Sequence, residues 1–141
     1  MSLEQLKSAD EAALRDINAL LRQISGRLKD CSTELLDRIV RSLEAELWVV
    51  REDNTIVGMA TLALVTRPEG IAARVEDVVI RDGERGKGYG TLLLKKLIER
   101  AKARGASVVQ LTSNPSRTAA NMLYKKLGFT FHETNAYYLR L

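Results

Sequence analysis

The chain has 141 residues, 45% of them hydrophobic and 28% charged, a composition typical of one soluble globular domain that can bury a core. Its net charge of +4 comes from 22 basic and 18 acidic residues that are interspersed, unlike the basic clusters of nucleic-acid-binding proteins. The apolar runs are too short to span a membrane, and the single cysteine, Cys31, excludes an intrachain disulfide and a structural zinc site. We expect a single cytoplasmic domain over residues 1–141, with no nucleic-acid or membrane partner and no metal.

The N-terminal part of the chain predicts two amphipathic helices. Ser8 and Glu11 form a capping-box pattern, and apolar residues then recur at helical spacing as far as Ile24, before Gly26. A second helical pattern begins near Ser32.

The middle of the chain predicts three strands. Residues 47–51 and 55–65 are β-branched and apolar, and the polar residues 52–54 between them indicate a hairpin. Because residues 55–65 are apolar on both faces, we expect this strand to be central. Residues 73–80 predict the next strand.

The C-terminal part predicts a helix that stops at Gly105 and a strand over residues 107–112. Asn114, followed by a proline, resembles the N-cap of a helix that ends at Gly128, and residues 129–139 predict a last strand. This alternation favours an α/β or α+β fold in which helices pack on a mixed sheet.

A glycine-rich segment connects the strand that ends at Ile80 to the following helix. Glycines let a ligand approach the backbone closely, and free N–H groups at a helix start favour a phosphate. The glycines and the two cations among them are Gly86, Gly88, Gly90, Arg85 and Lys87. A small polyanion is therefore the expected ligand, and a plain glycine-rich turn is the alternative.

The spacing of these glycines excludes two familiar phosphate-binding motifs. A dinucleotide fingerprint requires a glycine where Thr91 stands. A P-loop requires Ser or Thr after Gly86-Lys87, but Gly88 follows.

The segment resembles the coenzyme A signature of the GCN5-related N-acetyltransferases, Arg/Gln-x-x-Gly-x-Gly/Ala, in which Arg85, Gly88 and Gly90 match. The order of elements extends the resemblance over essentially the whole chain, including residues 76–79 and 127–129. What the resemblance implies is a mixed, mostly antiparallel sheet with helices on both faces. It also implies acetyl-coenzyme A as acyl donor and a primary amine, on a small molecule or a peptide, as acceptor.

The resemblance further implies that backbone amides hold the pyrophosphate, that the pantetheine arm lies along the strand before the loop, and that the last helix adds contacts. The implied cofactor-binding residues are Val78, Val79, Ile80, Arg85, Gly86, Lys87, Gly88, Tyr89, Gly90, Thr91, Asn114 and Arg117. Arg117 departs from the family pattern, which often has Asn there. Because family members often pair through sheet edges, a homodimer is a further candidate assembly.

Acyl transfer to an amine needs a base, a donor to the carbonyl oxygen and an acid for the departing thiolate. Strand alternation places Glu76 on the same face as Val78 and Ile80, where its carboxylate could take the proton. The alternatives are that Glu76 only binds the substrate amine or pairs with Arg74.

The resemblance implies the Val79 N–H as the donor to the carbonyl oxygen and Tyr124 as the acid. A core position on an apolar helical stripe is the alternative for Tyr124. A coenzyme A-binding regulatory module without turnover is the rival function, and the presence of both Glu76 and Tyr124 argues against it. We expect the acceptor to be selected mainly by loops at residues 22–32 and 66–72.

Overall fold

The computed structural model describes residues 1–24 and 29–141, so the break expected at Gly26 and part of the 22–32 loop lie outside the described residues. The chain forms two compact units, residues 1–111 and 112–141. The elements in chain order are β1 (Ser2–Gln5), α1 (Glu11–Ile24), α2 (Thr33–Arg41), β2 (Ala45–Glu52), β3 (Thr55–Arg67), β4 (Gly70–Ile80), α3 (Tyr89–Ala103), β5 (Ala106–Gln110) and α4 (Thr118–Lys126). No helix in these ranges is both long and apolar enough to cross a bilayer.

The first unit contains one sheet with the strand order β1-β2-β3-β4-β5, in which only the β4–β5 pair is parallel. The central position expected for β3 is confirmed. The β2–β3 hairpin turns through Asp53 and Asn54, whose φ angles are 48° and 66°. Two successive positive φ angles give a turn whose twist matches that of the paired strands, and Asp and Asn tolerate this conformation.

Helices cover both faces of the sheet, as the resemblance implied. On one face α1 and α2 enclose a buried cluster that comprises Leu6, Ala13, Ile17, Leu20, Leu36, Leu47, Val49, Ile56, Met59 and Val79. On the other face α3 packs closely over Gly58, where a Cβ would lie 2.7 Å from Cδ1 of Ile80 and 3.5 Å from Cδ1 of Leu93. Glycine at this position therefore lets helix and sheet approach.

Two predicted helix starts were wrong. The first turn of α1 is capped by Asp10, whose Oδ1 accepts from the N–H of Ala13 at 2.8 Å, so the Ser8 capping box does not form. α4 begins at Thr118 rather than at Asn114. The side-chain oxygen of Asn114 accepts from the N–H of Ser116 at 2.9 Å, and this local turn competes with helix formation.

The last predicted strand was also wrong. Among the described residues of the second unit, 129–141 contain no strand, and side chains such as Phe131 and Tyr138 are 90% and 92% exposed. A strand requires a paired backbone as well as a favourable composition. Here the polar residues 132–135 interrupt the apolar pattern, and no partner strand is present in this unit.

Candidate active site

The strand β4 extends beyond its parallel neighbour β5. The two strands pair only as far as Arg74 and Gln110, whereas β4 continues to Ile80. In the described part of the chain, no strand pairs with the edge of β4 that faces away from β3 over residues 75–80. We call this stretch the open edge. Its unpaired backbone groups can bind a ligand, and the resemblance implies the pantetheine arm here.

A β-bulge lies within the open edge. The β3–β4 register pairs Met59 with Val79 and Thr61 with Glu76, so the two intervening residues of β4 face a single residue of β3. Asp77 is one of the two, and its φ is 51°. A positive φ is uncommon outside glycine and marks a locally strained backbone.

The bulge changes the face on which Glu76 lies. Since the β3 partners of Glu76 and Val79 are two residues apart, Glu76 and Val79 share a face, and the expectation that Glu76 lies beside Val78 and Ile80 was wrong. This is the face that α1 and α2 cover. The Nε of Arg74 donates to the Glu76 carboxylate at 3.1 Å, and the Glu76 side chain is 46% exposed. The ion pair between Glu76 and Arg74, one of the two alternatives to a role as base, is thus present. The Glu76 carboxylate is still accessible to a substrate.

Successive backbone N–H groups of β4 point alternately toward β3 and toward the open edge. The N–H of Arg81 donates to the C=O of Val57 on β3 at 2.7 Å, so the N–H of Val79 also faces β3. This geometry disfavours Val79 as the donor to a carbonyl oxygen. The backbone groups of Val78 and Ile80 face the open edge instead.

Asp77 adds a second carboxylate beside Glu76. Burial raises the pKa of Asp77, and the negative charge of Glu76 raises it further. Sequence reasoning did not select Asp77, although an aspartate inside an apolar strand is unusual and could have drawn attention to it.

The glycine-rich loop opens onto the start of α3. Gly86 and Gly88 both have a φ of 84°, and no heavy atom lies within 4 Å of a Cβ built on either residue. Gly88 is the N-cap of α3 and supplies no side-chain hydrogen bond to its first turn. Free N–H groups in an uncrowded loop at the positive end of a helix fit a phosphate. We call residues 85–90 the phosphate loop.

Acidic residues already surround the Lys87 cation. Lys87 donates to the carboxylate of Glu84, and its Nζ lies 3.5 Å from Glu52 at the end of β2. The hydrogen bonds from Lys87 and then from Arg81 lower the pKa of Glu84 to about 2, and that from Glu84 raises the pKa of Lys87. A bound phosphate would therefore compete with these carboxylates for the ammonium group of Lys87.

The other predicted loop residues divide into exposed and buried groups. Arg85 is exposed and pairs with Asp82 at 3.0 Å. The hydroxyl of the buried Tyr89 donates to Glu52, so it holds the hairpin. Gly90 and Thr91 lie in the first turn of α3.

The second unit holds the predicted acid. The ring of Tyr124 is 7% exposed and packs edge-on against Phe129, with ring centroids 6.0 Å apart. Burial raises the pKa of Tyr124, although the charge of Arg117 lowers it. Asn121 donates to the C=O of Asn114 at 3.0 Å and to that of Arg117 at 2.9 Å. These side chains therefore stabilise the start of α4.

The sequence matches the acetyltransferase (GNAT) family over residues 13–129. The chain belongs to this family. It is 44% identical over 62 residues to an L-methionine sulfoximine/L-methionine sulfone acetyltransferase of Pseudomonas paraeruginosa, covering 43% of the chain and 36% of that protein. It is 36% identical over 81 residues to the glucosamine 6-phosphate N-acetyltransferase of Trypanosoma brucei brucei, covering 55% and 53%.

The solved structure of a Trypanosoma brucei acetyltransferase superposes with a TM-score of 0.81 at 27% identity, and the match covers 99% of each chain. The two proteins therefore share the same fold over essentially their whole lengths. The aligned sequence spans only 36% of the Pseudomonas relative and 53% of the Trypanosoma relative.

Proposed function

We propose that this chain is an N-acetyltransferase, a single domain over residues 1–141, that passes an acetyl group from acetyl-coenzyme A to a primary amine in a ternary complex. The observation that carries the proposal is the adjacency of the phosphate loop and the open edge within one compact unit. GNAT acetyltransferases generally use acetyl-coenzyme A, and the family match supports the same donor here.

The residues present fit coenzyme A. The backbone amides of the phosphate loop and the first turn of α3 hold the pyrophosphate, with Arg85 and Lys87 supplying charge. Val78 offers its backbone N–H and C=O along the open edge, and Ile80 offers its N–H, because the C=O of Ile80 accepts from Gln23. Asn114 and Arg117 are proposed as further cofactor-binding residues. The thioester supplies an activated acyl group, and the protein supplies position and proton transfer.

Glu76 is proposed to receive the substrate amine and to assist loss of its proton. Its carboxylate is half-exposed on the face that α1 and α2 cover, so an acceptor amine can reach it there. The donor to the carbonyl oxygen is a backbone amide at the open edge, with Val78 and Ile80 in place of Val79.

Tyr124 is proposed to protonate the thiolate. A tyrosine hydroxyl is protonated at neutral pH, which is the form that an acid needs, and burial raises the pKa of Tyr124 further.

Small-molecule primary amines are the proposed acceptors. The relatives from Pseudomonas and Trypanosoma are named for an amino-acid derivative and an amino sugar phosphate. A cytoplasmic location and pairing with a second copy through sheet edges complete the proposal.

Two measurements test the function. Acetyl-coenzyme A should raise the melting temperature well above the shifts caused by ATP or NAD, because a ligand of the folded state stabilises it by about 2.7 kcal/mol at a hundredfold excess over Kd. Thiol release with a panel of amines then tests turnover. Equal shifts with all three ligands would refute the cofactor assignment, and binding without thiol release would favour the regulatory module.

A further inference from the structure

One side chain of α1 holds the point where β4 ends. Gln23 lies in the last turn of α1, and its Nε2 donates to the C=O of Ile80 at 3.0 Å. Its Oε1 accepts from the N–H of Asp82 at 3.1 Å. A single amide therefore satisfies an acceptor and a donor that are two residues apart along the backbone.

The C=O of Ile80 belongs to the open edge, and the N–H of Asp82 continues the same side of the chain beyond it. Because the N–H of the intervening Arg81 donates to β3, the groups of Ile80 and Asp82 face the opposite side. The Gln23 amide makes the pair of hydrogen bonds that a neighbouring strand would make. The open edge is thus closed at its C-terminal end, just before the chain turns through residues 81–84 toward the phosphate loop.

The same helix uses a second amide in a similar way. Asn18 accepts from the N–H of Cys31 at 2.7 Å and donates to the C=O of the same residue at 3.1 Å. Asn18 is buried, and its bonds hold the segment before α2. It provides a matched comparison, because it has the same chemistry on the same helix and the hydrogen bonds of its amide go to Cys31, which belongs to neither the open edge nor the phosphate loop.

We propose that Gln23 is a positioning residue for coenzyme A. A ligand that binds the open edge and the phosphate loop together requires a fixed direction of the chain between them, and Gln23 fixes that direction at Ile80 and Asp82. Holding both sites in place before binding reduces the ordering that binding would otherwise have to impose. This inference rests on the proposed function, since it assumes coenzyme A as the ligand.

The test replaces Gln23 with Met, which preserves length and helix propensity but removes both hydrogen bonds. We expect the dissociation constant for coenzyme A, measured by calorimetry, to rise about tenfold. The KM for acetyl-coenzyme A should rise by a similar factor, with kcat at saturation within about twofold. Hydrogen exchange of the Asp82 amide should accelerate about tenfold in the protein without ligand.

Two further variants make the result decisive. Gln23→Ala, which favours the helix, should reproduce the loss of affinity and covers the case in which Met packs poorly. Asn18→Leu should lower the melting temperature and leave the dissociation constant for coenzyme A unchanged. An unchanged dissociation constant in both Gln23 variants would overturn the inference. Failure of the wild-type protein to bind coenzyme A would instead overturn the proposed function on which it rests.

Discussion

The hydroxyl of Tyr89 donates a hydrogen bond to the carboxylate of Glu52, which joins the first residue of α3 to the last residue of β2. The same carboxylate lies 3.5 Å from the Nζ of Lys87. Glu52 thus connects the β2–β3 hairpin to both a cation of the phosphate loop and the helix that follows it. The hairpin takes part in holding the loop, although it lies far from it in sequence.

Replacing Tyr89 with Phe should lower the free energy of unfolding by about 1.5–3 kcal/mol, the range for hydrogen bonds to charged groups. The hydroxyl is lost from a buried ring while Glu52 keeps its charge. Urea unfolding measures the change. Tyr137→Phe is the control, since Tyr137 is 88% exposed and its substitution should have almost no effect. Equal effects of the two substitutions would contradict the role of the Glu52 contact.

Replacing Gly88 with Val should abolish coenzyme A binding without unfolding the protein. A Cβ at Gly88 would meet no heavy atom within 4 Å, so the folded state should bear mainly the backbone cost of a positive φ, about 1–2 kcal/mol. The bound phosphate, however, needs the space that the side chain would occupy. Calorimetry with coenzyme A tests this.

Gly83 offers a matched control for Gly88. Its φ is 90° and its surroundings are equally open, but it lies outside the phosphate loop. Gly83→Val should carry a similar stability cost and retain coenzyme A binding. If both variants bound equally well, the phosphate would have to lie elsewhere.

The parts of the fold that sequence predicted well are determined locally. α2 begins near Ser32 as predicted, and Oγ of Ser32 accepts from the N–H of Leu35 at 3.1 Å. The two-residue hairpin turn also follows from its own residues. β1 was missed because residues 2–5 have no β-branched character, and only pairing with β2 makes them a strand. The strand predicted over residues 129–139 was wrong for the converse reason: the local composition favours a strand, but no partner strand pairs with it within the described residues of the second unit.

The candidate site divides in the same way. The glycines and cations of the phosphate loop could be predicted from the sequence because they form one contiguous motif. The face on which Glu76 lies could not be predicted, because it depends on a bulge in the pairing of β4 with β3. The contact of Gln23 with Ile80 and Asp82 joins residues far apart in sequence, so no local pattern could reveal it.

The buried Glu46 should make stability depend on acid pH. Burial raises the pKa of Glu46, but hydrogen bonds from Arg100 and Trp48 outweigh it and lower the pKa to about 2. Its carboxylate also accepts from Arg104 at 3.0 Å. Because the folded-state pKa lies below the unfolded value near 4.3, the contribution is complete above that value and disappears as the pH falls toward about 2.

Comparison of wild type with Glu46→Gln measures this contribution. The difference in free energy of unfolding should be about 3 kcal/mol near neutral pH and should shrink steadily below about pH 4. Urea unfolding at several pH values gives the curve. Glu44→Gln is the control, because Glu44 is exposed and its substitution should leave the pH dependence unchanged. A difference that stays constant down to about pH 2 would contradict the lowered pKa.

The negative charge of Glu76 should contribute to the raised pKa of Asp77. Replacing Glu76 with Gln removes the nearby negative charge, so the pKa of Asp77 should fall toward its ordinary range while remaining raised by burial. NMR titration of the Asp77 carboxyl group measures the shift. Glu69→Gln, in the β3–β4 turn, is the control. An unchanged Asp77 pKa in Glu76→Gln would mean that the two charges do not interact.

Replacing Tyr124 with Phe should leave coenzyme A affinity nearly unchanged and lower turnover. The substitution removes one hydroxyl, which is needed when the thiolate departs. General acid catalysis typically contributes about 10²- to 10⁴-fold, so kcat should fall by that order. The edge-on packing against Phe129 is preserved, because phenylalanine retains the ring. Single-turnover transfer at saturating acetyl-coenzyme A, with an amine found in the screen, measures the chemical step directly.

The alternative is that Tyr124 is only a core residue of the second unit, and the two roles differ in what they alter. A core role predicts lower stability with normal turnover once the protein is folded. An acid role predicts slow transfer in a variant that melts near the wild-type temperature and still binds coenzyme A. Tyr138→Phe controls for loss of a hydroxyl in the same unit, since Tyr138 is almost fully exposed and its variant should match wild type in both respects. Wild-type transfer rates in Tyr124→Phe would exclude Tyr124 as the general acid, because the thiolate would then depart equally fast without its hydroxyl.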